Sequence, residues 1–497
     1  MKKYILIITS FILFIGCDID LKPESSLTYN GFWDTEEAVR SAHVGIYSTI
    51  RNYNYTLWRM GELRSDIWGG PTLESPSDLN LIDNNINVSN APFTDWAQFY
   101  KLMHYINDFI KNAPKVTFKN ENEKNHLLGQ VYGIRAYIYF SMLKAWGDIP
   151  ITTEPINGVD ILALQKPRSP KTEVMTQIKS DLEQSLDYFG NDNNLWLNTK
   201  IYWSKAATLT LKGEAYLWSG VVLGSGETDF LQAKIALESI SGFSLVPYTN
   251  LWGADNESNN EFIFTIDYQR GQASNFYSNF TSRAVDIHNE TTGGLWDANG
   301  TTLIDFVVNG GNRYGPSEKI LSLIDDTNDA RRGNFIRIYT NNAGHIPFDN
   351  NGYVGAILTK FLGNVGSDGL RENYNNIPIY RYADVLLLLA EAKNHLNEDP
   401  SAEINAVRQR AYGANFPGYQ FTNGSKTENT NHILNERLKE FIGEGKRWWD
   451  LVRAGGNYVY DEIPTLNASD SHKIYYPISE SMIAKDPILE QTEGYEN

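Results

Sequence analysis

The 497-residue chain contains a single cysteine, Cys17. One cysteine cannot form an internal disulfide bond, and it cannot build a thiolate metal cluster. Basic residues are also scarce, since 43 Lys and Arg stand against 60 Asp and Glu and give a formal net charge of −17. Because a protein this acidic repels a phosphate backbone, we expect no nucleic-acid partner.

Long hydrophobic runs are missing except at the amino terminus, where an apolar run extends from Tyr4 to Ile15. This run is too short to span a bilayer, which takes about 20 apolar residues. Two lysines precede it and Gly16-Cys17 follows it, which is the arrangement of a lipoprotein signal peptide. We therefore expect residues 1–16 to be removed and Cys17 to carry the lipid anchor. An ordinary secretory signal with an incidental cysteine is the alternative interpretation.

The signatures of common catalytic and metal sites are missing as well. The eight histidines form no His-Glu-x-x-His pair, which excludes that zinc-protease site. Ser225 lies between two glycines, but with a spacing that differs from a hydrolase nucleophile elbow. Residues 363–366 lack the Lys-Ser/Thr of a phosphate-binding loop, and residues 325–329 lack the Gly and Glu of a calcium loop. We expect neither a cofactor nor a metal.

Helical periodicity is the strongest pattern that the chain does have. Between Leu127 and Trp146, apolar residues recur every three or four positions, which predicts an amphipathic helix. Asp34, three residues before Glu37, predicts another helix that runs to about Tyr53. Similar patterns predict helices at about 171–189, 203–222, 230–240, 382–396, 401–412 and 433–452. Several form neighbouring pairs with alanines at their expected contacts, so we expect a mainly α fold with a degenerate tetratricopeptide-like core of helical pairs.

Three long segments interrupt the helices. Residues 64–95, 271–316 and 340–378 are rich in Asn, Gly, Ser and Pro, and short strand-like pieces such as Phe262–Ile266 lie beside them. Loops of this length are usually functional or disordered, and the aromatic residues among the polar ones favour function. We expect one domain at 17–497, with a helical frame at about 30–260 and 378–455, irregular ligand-binding loops at about 64–95 and 271–377, and a tail at 456–497.

The block from Glu436 to Arg453 raises the one enzymatic hypothesis. Paired carboxylates perform glycoside hydrolysis, and Glu440 and Glu444 lie one helical turn apart. On the single helix predicted here, these carboxylates interleave with arginines such as Arg447. Ion pairs of this kind keep carboxylates ionised and deny them the raised pKa of a general acid. The pattern favours a structural charge network, and a surface glycoside hydrolase is the less favoured alternative.

Motifs along nearly the whole chain resemble those of the SusD/RagB family. In the amino-terminal half these are the lipoprotein signal and residues 32–38, 135–140 and 146–150. In the carboxyl-terminal half they are residues 380–392, the block 436–453, and the tail from Tyr476-Pro477-Ile478 to Gly494-Tyr495. The tail departs from the usual family pattern at Ser479, Thr492 and Glu493. The charged residues that match the family's structural signature are Arg381, Asp384, Glu391, Glu436, Glu440, Glu444, Arg447, Asp450 and Arg453.

This resemblance implies both a fold and a function. It implies a lipoprotein of the Bacteroidota type with a tetratricopeptide-like core, anchored in the outer membrane through acylated Cys17 and facing the medium. Such a protein would capture oligosaccharides for a partner TonB-dependent SusC-like transporter, and it would catalyse nothing. A peptide-binding member of the same uptake system is the alternative that the sequence leaves open.

The resemblance also implies where a ligand would bind. Family members tend to hold ligands with aromatic residues in the loop after the first helix and in the central insertion. Sugar rings pack their C–H faces on aromatic side chains and hydrogen-bond to amides, carboxylates and arginine. By region, the candidates are Arg64, Asp66 and Trp68 in the first segment, and Asn275, Tyr277 and Trp296 in the second. For each tryptophan, packing against the helical frame is the alternative.

Overall fold

The computed structural model describes residues 29–156, 164–281, 294–303, 311–340, 352–367, 369 and 371–495. The predicted signal peptide and the predicted lipid anchor at Cys17 lie outside the described residues. Helices dominate the described chain and its strands are few and short, which confirms the prediction of a mainly α fold. None of the described helices is both long enough and apolar enough to cross a membrane.

The helical frame is built from neighbouring pairs. The helices of the first half are α1 (Tyr29–Phe32), α2 (Glu36–Glu62), α3 (Leu79–Ile82), α4 (Ala97–Asn112), α5 (Glu121–Trp146), α6 (Lys171–Phe189), α7 (Lys205–Val222) and α8 (Glu227–Glu238). Those of the second half are α9 (Glu318–Leu323), α10 (Tyr382–His395), α11 (Ser401–Tyr412), α12 (Lys426–Glu440), α13 (Arg447–Ala454), α14 (Tyr458–Glu462) and α15 (Glu480–Lys485). Helices α5 and α6, α7 and α8, and α10 and α11 pack pairwise, and α8 packs on α10, so the tetratricopeptide-like core is confirmed.

Small residues set the spacing of these pairs. A Cβ added at Gly133 of α5 would lie 2.2 Å from the indole nitrogen of Trp203, and one at Gly220 of α7 would lie 2.2 Å from the ring of Phe230. Because interiors are close-packed, larger side chains here would push the helices apart. The alanines expected at the contacts are buried at Ala207, Ala215, Ala233 and Ala236 and half-buried at Ala206.

Helix α2 differs from its prediction at both ends. Thr35, rather than Asp34, caps it, because the Thr35 hydroxyl accepts a hydrogen bond from the Ala38 amide at 3.1 Å. The helix continues past Tyr53 to Glu62, since further buried residues extend its packed face. These additional turns carry side chains of α2 into the region of the predicted binding loops.

The single helix predicted over residues 433–452 is wrong. Helix α12 ends at Glu440 and helix α13 begins at Arg447. Between them Gly443 and Gly445 have left-handed backbone angles, with φ of 78° and 74°, which glycine adopts without steric cost. A Cβ at Gly445 would lie 3.2 Å from the Cα of Trp58, so the turn also lies directly against α2.

The described strands form small antiparallel sheets, which connect the loop segments by strand pairing. They are β1 (Trp68–Gly70), β2 (Phe262–Ile266), β3 (Leu295–Trp296), β4 (Gly315–Pro316), β5 (Phe335–Thr340), β6 (Tyr353–Leu358), β7 (Asn364–Val365), β8 (Arg371–Glu372) and β9 (Ile377–Arg381). The pairs are β1 with β4, β2 with β9 and β7 with β8, while β3, β5 and β6 form a three-stranded sheet. The β1–β4 pair joins the first predicted loop to the second.

The carboxyl-terminal tail is fastened to the frame by hydrogen bonds. The Tyr476 amide donates to the carbonyl of Ala145 in α5 at 2.8 Å, and the Thr492 hydroxyl donates to the carbonyl of Tyr476 at 2.8 Å. The Gln491 side chain bonds both the amide and the carbonyl of Ile478, at 2.8 and 2.7 Å. The tail therefore packs as part of the same body as the helices.

Candidate functional site

Two of the candidates in the first loop, Arg64 and Trp68, lie in the interior. Arg64 is 0% exposed, its Nε donates to the Asn84 side chain at 2.9 Å, and its guanidinium lies 3.9 Å from the centroid of the Trp448 ring. Trp68 is 4% exposed, and its ring centroid lies 5.2 Å from that of Phe280. Both side chains therefore hold the loop on the frame.

Asp66, the third candidate in this loop, joins it to the signature block. Its carboxylate accepts two hydrogen bonds from Arg447, at 2.8 and 2.9 Å, and one from Lys319 at 2.7 Å. Burial on its own would raise the pKa of Asp66, but the two cations outweigh it and lower the pKa to about 2. The carboxylate is therefore ionised and fully engaged in an ion-paired cluster.

The candidates of the second segment divide into buried and half-buried side chains. The Tyr277 hydroxyl donates to the carbonyl of Gly443, and Asn275 accepts from the Tyr277 amide at 3.0 Å and donates to the Asn375 carbonyl at 2.8 Å. Both side chains are buried. Trp296 is half-buried in β3.

Five of the six candidates therefore lie inside the protein: Arg64, Asp66, Trp68, Asn275 and Tyr277. Direct contact with a ligand would require these side chains to leave packed positions. In the structure these side chains pack the loops against the frame, and their contact with a ligand stays a prediction. The side chains at the surface of these same loops become the better candidates for contact with a ligand.

An aromatic cluster around Trp58 of α2 connects the two loop segments. The Trp58 ring centroid lies 6.2 Å from that of Trp68, 5.2 Å from Phe276, 5.1 Å from Phe280 and 5.9 Å from Tyr314. Edge-to-face and tilted contacts of this kind stabilise aromatic pairs beyond the area they bury. The end of α2, the first loop and the central insertion are therefore held as one unit.

On the outer side of these rings lies a polar group that we call the tyrosine–arginine cluster: Tyr55, Arg59, Asp78 and Tyr314. The hydroxyls of Tyr55 and Tyr314 lie 2.6 Å apart, and Tyr314 donates to the Asp78 carboxylate at 2.6 Å. Arg59 Nε donates to the same carboxylate at 3.0 Å. Tyr314 is buried, whereas Tyr55, Arg59 and Asp78 are half-buried and reach the surface.

The backbone and the charges of this cluster are unusual. Asp78 has a left-handed backbone with φ of 57°, which is strained for a residue with a side chain. Burial, followed by the neighbouring Tyr55 and Asp78, raises the pKa of Tyr314, so its phenol stays protonated and donates. Burial also raises the pKa of Tyr55. The cluster thus combines neutral phenols, a guanidinium, a carboxylate and a half-buried ring.

Beside this cluster, the sheet of β3, β5 and β6 aligns three aromatic residues. Trp296 pairs with Tyr339, and Tyr339 pairs with Tyr353, so their side chains lie on one face of the sheet. The rings of Tyr339 and Tyr353 are 5.8 Å apart between centroids. Arg337 makes two hydrogen bonds to Glu318, at 2.8 and 3.0 Å, on this side of the sheet.

Glu440 and Glu444, the carboxylates on which the hydrolase hypothesis depends, have completely buried side chains. Glu440 accepts from Arg381 at 2.6 Å and from Arg410, and Glu444 accepts from Lys360 at 2.6 Å; all of these side chains are at most 6% exposed. Burial acts to raise both pKa values. The surrounding cations outweigh burial, so that the pKa of Glu440 lies well below its usual range and the pKa of Glu444 is lowered to about 2. A general acid must be protonated and must reach its substrate, and neither carboxyl meets these two requirements.

The rest of the predicted signature forms the same kind of buried network. Further ion pairs join Arg331 to Glu436, Lys446 to Asp384, and Arg453 to both Glu391 and Asp450, at N–O distances of 2.5 to 2.9 Å. Buried pairs of this kind stabilise a fold only while every partner is present. Within the described residues, no group of three His, Cys, Asp or Glu side chains is arranged to hold a metal ion.

Glu62, which sequence reasoning missed, positions the end of α2. Its buried carboxylate accepts hydrogen bonds from the backbone amides of Gly443, Gly445 and Lys446, at 2.7, 2.9 and 3.2 Å. Burial raises its pKa to about 8, against the opposing effect of these amides. The sequence did contain a signal for this contact. Gly443 and Gly445 are glycines, and glycine lets the backbone approach another group, here the Glu62 carboxylate, closely.

The tyrosine–arginine cluster was also missed. Tyr55 and Arg59 are four residues apart and share one face of α2, but the sequence pattern ended that helix near Tyr53. Their contact with Asp78 and Tyr314 joins segments that are far apart in the sequence, and no local pattern marks such a contact.

Comparison with protein families gives two matches. The family model described as "SusD family" matches residues 327–495, and the model described as "Starch-binding associating with outer membrane" matches residues 19–217. The SusD-like protein P38 of Formosa agariphila is 25% identical over 538 residues, which span 100% of both chains.

Solved structures match the fold over almost the whole chain. NanU of B. fragilis has a TM-score of 0.84 at 32% identity, covering 96% of this chain and 100% of its own. A SusD superfamily protein from Bacteroides vulgatus has a TM-score of 0.83 at 31% identity, covering 93% of this chain and 100% of its own. The frame and the loops are thus both included in the similarity.

Proposed function

Because the chain belongs to the SusD/RagB family, we propose that it is a surface lipoprotein that captures oligosaccharides and delivers them to a SusC-like TonB-dependent outer-membrane transporter. In this proposal, residues 1–16 are removed and acylated Cys17 holds a single domain of residues 17–497 in the outer leaflet, facing the medium. The description of the matching family model, starch binding in association with the outer membrane, supports this assignment.

The observation that carries the proposal is the tyrosine–arginine cluster at the meeting point of the two loop segments. A sugar ring needs an aromatic face for its C–H bonds and mixed donors and acceptors for its hydroxyls. Tyr55 offers a half-buried ring, which stacks on Phe276 with the centroids 4.9 Å apart. Arg59 and Asp78, which already bond each other, offer a half-buried donor and a half-buried acceptor. The half-buried Trp296 and Tyr353 extend the aromatic character of this side of the molecule.

Preorganisation supports the same assignment. The phenol pair, the guanidinium and the carboxylate already bond one another, and the Trp58 rings fix the loops from behind. A binding group whose side chains are held in place loses less conformational freedom when a ligand arrives. A receptor that captures soluble sugars from the medium benefits directly from such a surface.

Catalysis is not part of the proposal. The Glu440 and Glu444 carboxyls are ionised, ion-paired and buried, so they lack contact with any substrate at the surface. We therefore assign the whole charge network to the support of the frame, and we assign ligand capture to the loops that it carries.

The test is a binding screen with product analysis. The purified protein is run in affinity gels that contain starch, laminarin, xylan or galactomannan, and it is incubated separately with a mixture of tryptic peptides. Retardation by a polysaccharide with no released sugar supports the proposal. Binding of peptides alone would transfer the function to the peptide-binding alternative, and released sugar would establish an enzyme.

Partner and anchor are tested in the cell that makes the protein. We expect a TonB-dependent transporter to co-purify with the wild-type protein from detergent-solubilised outer membranes. We expect Cys17→Ser to release the protein from membranes and to abolish labelling by palmitate. An unlabelled wild-type protein, or one that purifies without any transporter, contradicts this part of the proposal.

A further inference from the structure

A second polar cleft lies on the helical frame, outside both loop segments. It is formed by the first turns of α5, the last turn of α6 and the turn that follows α6, and its volume is about 590 Å³. We call it the amide cleft and define it by Asn122, Asn125, Asp187, Tyr188, Asn191 and Asp192. A pocket of this size lies in the range of small-molecule sites.

The side-chain amides of the cleft are available for a ligand. Asn122, Asn125 and Asn191 line it, and within the described part of the chain none of their side chains makes a hydrogen bond. Each amide carries an acceptor oxygen and a donor nitrogen, which is the pairing that a sugar hydroxyl requires. Three such groups around one cleft can satisfy several hydroxyls of one sugar unit.

An aromatic wall completes the cleft. Tyr188 is half-buried and stacks on Tyr132, with ring centroids 5.5 Å apart and planes at 19°. The stack fixes the Tyr188 ring in place. A fixed aromatic ring beside free amides is the same combination of groups that recognises a sugar in the proposed capture site.

The floor is a buried histidine that carries no charge. His126 is 5% exposed, its Nδ1 accepts from Gln130 at 2.9 Å, and its Nε2 lies 3.3 Å from the Asn194 carbonyl. Burial lowers the pKa of His126 despite this carbonyl, so the ring is neutral at physiological pH. The residue is held on both nitrogens and serves as a rigid base for the cleft.

The charged groups that line the amide cleft indicate which class of ligand it can bind. The ionisable side chains of the lining are the carboxyls of Asp187 and Asp192, the phenol of Tyr188 and the neutral His126, and no Lys or Arg is among the lining residues. Asp192 already accepts two hydrogen bonds from Asn194, at 2.9 and 2.7 Å. Lys205 donates to the carbonyl of the lining residue Gly190 at 2.7 Å, but the charged side chains of the lining itself are carboxylates. These repel an anionic sugar, so a neutral saccharide fits the cleft better than an acidic one.

The turn beyond the cleft carries backbone strain. Leu197 and Asn198 are consecutive non-glycine residues with left-handed backbones, at φ of 51° and 55°. Leu197 is also 69% exposed, which no packing requirement explains. Strain of this kind persists at ligand sites more often than elsewhere.

We propose that the amide cleft is a second saccharide-binding site, which takes one or two neutral sugar units of the glycan that the loops capture. The inference rests on the proposed function, since it assigns to the same receptor a second attachment point. A long glycan that engages both sites is held more tightly than a short one, because the second contact forms at high effective concentration. A short oligosaccharide reaches one site at a time and gains nothing.

The experiment compares long and short ligands in matched variants. Wild type, the double variant Asn125→Ala/Tyr188→Ala and the control Tyr105→Ala, which removes a 40% exposed tyrosine from α4, are run in gels of starch, laminarin, xylan and galactomannan. We expect the double variant to lose about tenfold or more in affinity for the retarding polysaccharide. Its affinity for the corresponding heptasaccharide, measured by calorimetry, stays within about twofold of wild type, and the control binds as wild type does.

The outcomes separate this inference from the proposed function. Equal retardation of the double variant and wild type overturns the second site, and so does the absence of retardation of wild type in every gel. Asp78→Asn, which alters the tyrosine–arginine cluster, is run beside them. If only Asp78→Asn weakens binding, the second site fails alone; if only the double variant weakens binding, the loop site fails and the amide cleft stands.

Discussion

The hydroxyl oxygens of Tyr55 and Tyr314 lie 2.6 Å apart, although 259 positions separate the two residues in the sequence. Tyr55 belongs to the first long helix and Tyr314 to the central insertion, next to β4. Their contact, with Asp78 behind it, ties the helix to both loop segments. The geometry of the proposed capture site therefore depends on long-range contacts rather than on any one loop.

Because the two hydroxyls contact each other, the effects of substituting Tyr55 and Tyr314 on the free energy of unfolding are predicted to be coupled. Tyr55→Phe and Tyr314→Phe each remove one hydroxyl and keep the packed ring, so the second substitution costs less once the first is made. In urea denaturation we expect a coupling free energy of about 0.5–1.5 kcal/mol. Tyr53→Phe on the same helix is the matched control. Additive effects of the two substitutions would show that the hydroxyl contact does not stabilise the loops.

The buried charge network predicts a large loss of stability when one member is removed. Arg381→Ala leaves Glu261, Glu440 and Glu444 without their shared cation, and all of these side chains are 0% exposed. We expect the free energy of unfolding to fall by about 3–5 kcal/mol. Arg332→Ala breaks an ion pair whose partners are more than half exposed and is expected to cost at most about 1 kcal/mol. A loss below about 1 kcal/mol for Arg381→Ala would contradict the structural role of the network.

Acid is predicted to destabilise the protein through two named carboxylates. The pKa values of Asp66 and Glu444 are lowered to about 2 in the folded state, from ordinary values of 3.8 and 4.5. The unfolded chain therefore binds more protons between these values, and stability that is present at neutral pH is lost as the pH falls from about 4.5 to 2. Each carboxylate contributes on the order of 2 kcal/mol to this loss.

The check is a series of urea midpoints from pH 7 to pH 3. Asp66→Asn removes one of the two titrations, so its midpoint is lower at pH 7 and changes less on acidification than the wild-type midpoint. A wild-type midpoint that stays constant down to pH 3 would show that these carboxylates are not linked to folding.

Replacing either of two glycines of α2 by alanine is predicted to change the stability of the protein, and the two changes have opposite signs. A Cβ at Gly61 would lie 1.9 Å from the carbonyl oxygen of Gly445, whereas a Cβ at Gly45 meets nothing within 4 Å. Gly61→Ala is expected to destabilise by more than about 2 kcal/mol through overpacking. Gly45→Ala is expected to stabilise by about 0.5–1 kcal/mol through helix propensity. Thermal denaturation measures both, and equal effects would show that Gly61 does not fix the contact between α2 and the turn.

Local patterns in the sequence predicted the helical frame well, and the reason is physical. Helices α5 and α7 carry apolar residues every three or four positions, and the packing of the pairs α5–α6 and α7–α8 buries α5 on nearly every side from His126 to Trp146. The break between α12 and α13 was missed because apolar residues continue on both sides of Gly443 and Gly445. The two left-handed glycines that make the break were visible, but the helical period outweighed them.

The candidate site stays a prediction, both in the loop segments and in the residues named for it. Two of the aromatic residues named in the loop segments, Trp68 and Tyr277, are buried in the structure. A loop that is rich in aromatic residues must bury some of them to be ordered, and the sequence does not tell which ring faces inward. Tyr55 and Asp78, which both bond the Tyr314 hydroxyl, become visible as members of one cluster only when the loops are folded over α2.

The affinity of Tyr55→Ala for the best-retained polysaccharide shows whether the tyrosine–arginine cluster captures a glycan. Calorimetry compares this variant with wild type and with Tyr105→Ala, after circular dichroism has shown that all three are folded. We expect Tyr55→Ala to bind at least about tenfold more weakly, since an aromatic contact of about 1.4 kcal/mol is lost, while Tyr105→Ala binds as wild type does. Equal affinity of folded Tyr55→Ala and wild type would show that the tyrosine–arginine cluster does not capture the glycan.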